Sequence, residues 1–142
     1  MIGPKVAVPS KAAERDAYEL VTLRDADTCQ RCRRNCGWGV TSRHHRKNRS
    51  VGGRTEVANL TVLGGTGTTG CHGWVTEHPR DALEAGWTVP GWADPEEFPA
   101  ARWVPTMRGT LRPAWVLYDR EGGWVEISEE EATARREGRW DS

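Results

Sequence analysis

Four cysteines, two of them in a knuckle spacing, constrain this chain more than any other feature. Cys29-Gln-Arg-Cys32 has the two-residue gap with which a tight turn presents two thiolates to one tetrahedral zinc at about 2.3 Å per bond. Cys71 comes much later, directly after a strand-like run and at the start of a helix-like stretch, where a second half-site closes a treble-clef-like zinc site. Cys36 lies between them. The N-terminal residues from Met1 to Ser10 carry neither a long apolar stretch nor a small-residue cleavage site, so a cytoplasmic setting is expected. In that setting clustered cysteines read as metal ligands rather than disulfides, with buried free thiols as the alternative.

The balance of 20 basic and 20 acidic residues conceals an asymmetry. Between Arg24 and Arg54 nine basic residues stand against Asp25 and Asp27 alone, a surplus of seven charges that the rest of the chain cancels. A basic block around cysteines and histidines suits a phosphate-bearing partner, because each phosphate neutralised by Lys or Arg releases condensed counterions. A solvated basic face is the plainer alternative. No apolar run approaches the roughly 18 residues of a spanning helix, and mean hydropathy is -0.70, so no membrane association is expected.

Local patterns place these residues on elements. Ser10 caps a helix over Lys11 to Arg24, with Ala13, Ala17, Leu20 and Val21 at helical spacing. Thr41 to Arg46 reads as a short extended piece, and Asn59 to Leu63 alternates like a strand. Thr69 precedes a short helix through Cys71, His72 and Val75, stopped by Pro79. A second helix starts at that proline and ends on Gly86. Past Trp87, the prolines at 90, 95, 99, 105 and 113 predict irregular extended pieces. The exceptions are a hairpin, in which Trp115-Val-Leu-Tyr118 meets Trp124-Val-Glu-Ile127 with the two tryptophans facing each other, and a helix from the capping box at Ser128 to about Arg139.

Hydrolysis of a phosphodiester needs a base to deprotonate water and a cation to neutralise charge on the phosphate and the departing oxygen. His44 and His45 sit in the arginine-rich strand and His72 follows Cys71 on the helix. Because adjacent strand residues point to opposite faces, His44 and His45 take different roles. One can reach a metal with His72 while the other addresses water.

At this point the chain resembles a known family. Cys29-x-x-Cys32, Arg43-His-His-Arg46, Gly52-Gly53, Asn59-Leu60 and Gly67-Thr-Thr-Gly-Cys-His-Gly-Trp-Val75 are similar, in that order, to the HNH endonucleases, above all the small HNH proteins of actinobacterial phages. The likeness covers about residues 20–95. It implies an α+β fold with a small ββα-metal, treble-clef-like core. Residues 1–95 then form the nuclease domain with its N-terminal helix, and residues 96–142 a hairpin-and-helix appendage packed on it. It implies metal-dependent hydrolysis of DNA in a host cytoplasm, beside phage packaging proteins such as the terminase. His44 and His72 become ligands of a catalytic divalent ion (Mg, Mn, Ni or Zn), His45 the general base, and Asn59 the residue that fixes the loop between the strands by hydrogen bonding. Cys29, Cys32, Cys71 and Cys36 become the candidates for a structural zinc. Arg43, Arg46, Lys47 and Arg49 are the candidate phosphate contacts, a role taken from charge and position.

Two departures matter. The strand before the Gly67-Thr-Thr-Gly70 stretch usually ends in a cysteine in such proteins, and here the matching position is Gly64. The fourth zinc ligand is then Cys36, or water, or there is no zinc; Cys36 is preferred. Thr76 stands where a further histidine is common, leaving His78 as either a substitute or a helix cap. The alternative function is a zinc-stabilised nucleic-acid-binding module that does not cleave; an interaction protein acting through the acidic, tryptophan-rich C-terminal part is a third. Gly65-Thr-Gly67-Thr-Thr-Gly70 matches the dinucleotide fingerprint, but no second βαβ unit accompanies it. Most of the eight tryptophans are expected in the core, with base stacking by Trp38 or Trp140 an option that the sequence gives no reason to prefer.

Overall fold

Residues 8–140 are described by a computed structural model. Helix α1 (Lys11–Arg24) starts where the Ser10 hydroxyl accepts the Ala13 N–H, which satisfies one of the donors a helix start leaves open. Its Ala17 and Val21 bury against Val57, Leu60 and Val62. Strand β1 (Thr41–His45) pairs antiparallel with β2 (Leu60–Gly64), His44 opposite Thr61 and His45 opposite Leu60. Every residue of β2 is buried. Leu60 and Val62 face α1, and Leu63, pointing the other way, joins Cys29, Cys71 and Val75.

Helix α2 (Gly70–Glu77) and helix α3 (Pro79–Ala85) follow, and Gly86 closes α3 in the left-handed conformation, φ 76°. The strand expected to include Asn59 starts one residue later, because a single 3-10 turn over Val57–Asn59 turns the chain before pairing begins. The expected strand to Arg46 ends at His45, where the Arg46 side chain turns into the protein.

The second sheet has the order β3 (Ala100–Pro105), β4 (Leu111–Tyr118), β5 (Trp124–Ile127), and α4 (Glu129–Arg136) completes the chain. Strand β3 corrects the irregular reading after Trp87. Proline obscured it. Pro105 is the last residue of an edge strand and Pro113 lies opposite Trp103, beyond the end of β5, so neither removes an N–H that two neighbours need. The hairpin register pairs Tyr118 with Trp124 and Trp115 with Ile127, so the two tryptophans do not face each other. Helix α4 ends at Arg136 rather than near Arg139, with Gly138 left-handed just beyond.

The two sheets share buried contacts. Ala58 packs with Ala100, Val104, Val116 and Tyr118. The fully buried Asp25 carboxylate accepts hydrogen bonds from Arg24 Nε (2.8 Å), from Arg102 Nη1 on β3 (2.7 Å) and from the Val62 N–H (3.0 Å). Burial pushes its pKa up, but the Arg24 hydrogen bond and charge, with Arg102 and Val62, outweigh it and hold Asp25 below the usual carboxylate range. Among the described residues no helix is long and apolar enough to cross a membrane.

Candidate functional site

Cysteine thiols come together first. Cys29 and Cys32 lie on the loop after α1, Cys36 further along it and Cys71 in the first turn of α2. Their sulfur atoms all lie within 4.8 Å of one another. A tetrahedron with ~2.3 Å bonds has edges of roughly 3.8 Å, so small side-chain rotations close this set on one ion. The donors fit a structural metal such as zinc. Desolvation raises the Cys29 pKa, but N–H groups of Cys32, Gly64 and Arg31 outweigh it and lower the thiol to about 7. The Arg34 N–H reaches Cys32 Sγ at 3.3 Å and Arg31 Nη1 reaches Cys71 Sγ at 3.4 Å, a cationic partner for thiolate charge. The Arg31 guanidinium also stacks 3.5 Å from the centroid of the Trp74 ring. Arg31 is therefore committed to the cysteine site.

The histidines converge at the other end of β1. His44 and His72 bring their ring centroids to 5.0 Å. His44 Nε2 lies 2.7 Å from the Trp87 carbonyl oxygen, which only accepts, so Nε2 carries the proton and Nδ1 is the lone-pair atom. His72 Nδ1 is buried and has no hydrogen-bond partner. Desolvation lowers all three histidine pKa values, His44 to about 4, so the rings are neutral and able to bind a cation at pH 7. His45, on the opposite face, packs edge-on to Tyr18 of α1, and its Nε2 lies 2.8 Å from Thr55 Oγ1. Thr76 is exposed and donates to the His72 carbonyl, while His78 Nδ1 bonds the Trp74 carbonyl at 2.9 Å and stacks on the Trp74 ring. Neither joins His44 and His72; His78 caps a helix.

Asn59 ties the loop between β1 and β2. Its Nδ2 donates to the Lys47 carbonyl (3.1 Å) and the Arg54 carbonyl (2.8 Å), and its Oδ1 accepts the Lys47 N–H at 2.7 Å.

The candidate phosphate contacts separate. Arg46 is only 1% exposed, so it touches no phosphate. Its guanidinium donates to the carbonyls of Gly86 (2.8 Å), Ala58 (2.9 Å), Pro95 (3.0 Å) and Phe98 (2.8 Å). Burial lowers its pKa only to about 10, so it stays charged, with backbone dipoles in place of a counter-ion. Lys47 is half-buried and bonds the Ala93 carbonyl at 3.0 Å. Arg43 and Arg49 are exposed, and Arg49 Nη2 donates to Thr55 Oγ1 at 3.0 Å.

Two participants left no signature in the chain. Thr55, which bridges His45 and Arg49, and the Trp87 carbonyl, which orients His44, are set by the path of loops rather than by residue type. Compared with family models, with curated proteins and with solved structures, the chain matches none.

Proposed function

We propose that this chain is a metal-dependent DNA endonuclease of the HNH type, built on a ββα-metal core formed by β1, β2 and α2. The observation that carries the reading is the meeting of His44 and His72, ring centroids 5.0 Å apart, with His45 next to His44 on the opposite face of the strand. Support comes from the orphaned, buried Nδ1 of His72 and from the tautomer that the Trp87 carbonyl imposes on His44. These are the donors a divalent cation takes, and His44 and His72 would hold it as two protein ligands, its other coordination positions going to phosphate oxygens and water. Such an ion supplies positive charge for the scissile phosphate and its leaving oxygen.

The chain's own residues do the rest. His45, whose Nε2 lies 2.8 Å from Thr55 Oγ1, would take the proton of the attacking water at its other ring nitrogen, Nδ1. The 3′ oxygen departs, leaving 5′-phosphate and 3′-hydroxyl ends. Exposed Arg43 and Arg49 hold neighbouring phosphates, and the Asn59 hydrogen bonds keep the loop between the strands in shape.

Plasmid nicking tests this directly. Wild-type protein converts supercoiled DNA with Mg²⁺ or Mn²⁺ and not with EDTA, and His45→Ala lowers the rate by roughly 10² to 10⁴-fold while DNA affinity persists. Binding without cleavage under every metal would instead make the chain a zinc-stabilised binding module, and cleavage by His45→Ala at the parental rate would refute the assigned base.

A further inference from the structure

Trp38 is held where nothing in the fold benefits from it. Gly37 to Val40 form a tight turn closed by the Val40 N–H to the Gly37 carbonyl at 3.0 Å, with φ positive at both central residues, Trp38 (+55°) and Gly39 (+87°). Such turns favour Gly, Asn or Asp at those places, because an L side chain with Cβ in the left-handed region is crowded by its own backbone. Here the first place holds the largest side chain of all. It gains nothing by burial, since Trp38 is 93% exposed.

The base of the turn is rigid. Cys36 Sγ belongs to the cysteine cluster, and the Asn35 side chain accepts the Gly39 N–H at 2.6 Å. Gly37 is packed so closely that a Cβ there would lie 2.2 Å from the Gly65 nitrogen. The indole is therefore presented to solvent from a fixed platform at an unfavourable backbone angle, which marks a residue kept for what it touches outside the chain.

Its surroundings say what that is. Arg33 and Arg34 line a cavity of about 340 Å³ at the foot of the same turn, together with Asp27, whose carboxylate accepts the Thr41 hydroxyl, and Arg43 is exposed on the strand the turn leads into. Aromatic faces flanked by arginines bind unpaired nucleobases by stacking while the cations follow the phosphates. From Thr41 to His44 the strand covers about 10 Å at ~3.3 Å per residue, some three nucleotide steps at the ~3.4 Å rise per strand.

Resting on the reading that the partner is a nucleic acid, we infer that Trp38 is a stacking platform for an unpaired base a strand's length away from the histidine site, and that the chain prefers DNA with single-stranded or frayed character there.

The experiment is anisotropy of a short labelled oligodeoxynucleotide, single-stranded or annealed, with zinc-loaded protein and no added Mg²⁺ or Mn²⁺. Stacking is worth about 1–3 kcal/mol per base, so Trp38→Ala should weaken single-strand binding roughly 5- to 150-fold and duplex binding little. Trp38→Phe, which keeps an aromatic face, should retain most of the affinity. Equal single-strand affinity in wild type and Trp38→Ala overturns the inference alone, as does an equal loss on both DNA forms. A wild-type protein that binds neither form overturns the inference and the nuclease reading together.

Discussion

The sulfur of Cys36 occupies the space in which a side chain at Gly64 would begin: a Cβ built there lies 2.3 Å from Cys36 Sγ. Gly64 does not have a positive φ, so its lack of a side chain is a matter of room and not of backbone conformation. The thiol that the resemblance leads one to expect at the end of β2 stands instead on the loop, within the cysteine cluster.

Gly64→Ala should therefore push Cys36 out of the cluster and lower the zinc content found by elemental analysis after a chelator challenge, from about one ion per chain towards none. Cys36→Gly alone should do the same. The double variant Cys36→Gly, Gly64→Cys returns a thiol to the same region and should recover zinc. A double variant as poor as the singles would show that the two positions do not exchange, and a wild type without zinc would sink the structural-metal reading.

Removal of both candidate catalytic ligands, His44→Ala with His72→Ala, should abolish nicking and leave the zinc content unchanged. Thiolates hold zinc, whereas the histidine centre suits a separate, exchangeable ion. Loss of zinc in this variant would mean that the two centres are one.

Arg46 and the exposed arginines should separate cleanly. Arg46→Lys leaves several of four buried carbonyls without donors, each worth about 1–3 kcal/mol, so a loss of about 3 kcal/mol or more in urea unfolding is expected. Arg34→Glu, Arg43→Glu and Arg49→Glu should barely change stability but should flatten the dependence of log K on log salt, by about 0.9 for each phosphate no longer neutralised. An unchanged slope would move the DNA face elsewhere.

Burial lowers the His44 pKa from 6.5 to about 4. The unfolded chain thus binds a proton that the folded one refuses, so the His44 contribution is fully present above about pH 6.5 and is lost as pH falls towards 4. In protein without divalent cations at the histidine centre, the urea midpoint should fall across that window. His44→Gln, whose amide can still donate to the Trp87 carbonyl, should flatten the fall; an equally steep profile would exonerate His44.

Trp38→Asn should raise stability by up to about 1 kcal/mol, because asparagine accepts the left-handed region at lower cost. A lower unfolding midpoint would mean that the indole packs on the fold after all, against the stacking inference.

Local chemistry made much of this chain legible in its sequence. Ser10, Thr69 and Ser128 stand at helix starts, Gly86 ends α3, and the strand-like run of β2 is plain, because caps, turns and short extended runs depend on neighbours within a few residues. The cysteines and histidines were visible as candidates for the same reason, as residue types at short spacings. Their arrangement was not. Arg46 and Arg49 are both cations in one basic run, yet only folding brings Gly86, Ala58, Pro95 and Phe98 around the first and leaves the second at the surface. Likewise β3 exists because β4 offers it an edge, and Cys36 meets Gly64 because the loop folds back across the end of β2. Those contacts join residues far apart in the chain, and their energies come from the burial and pairing that tertiary packing alone brings about.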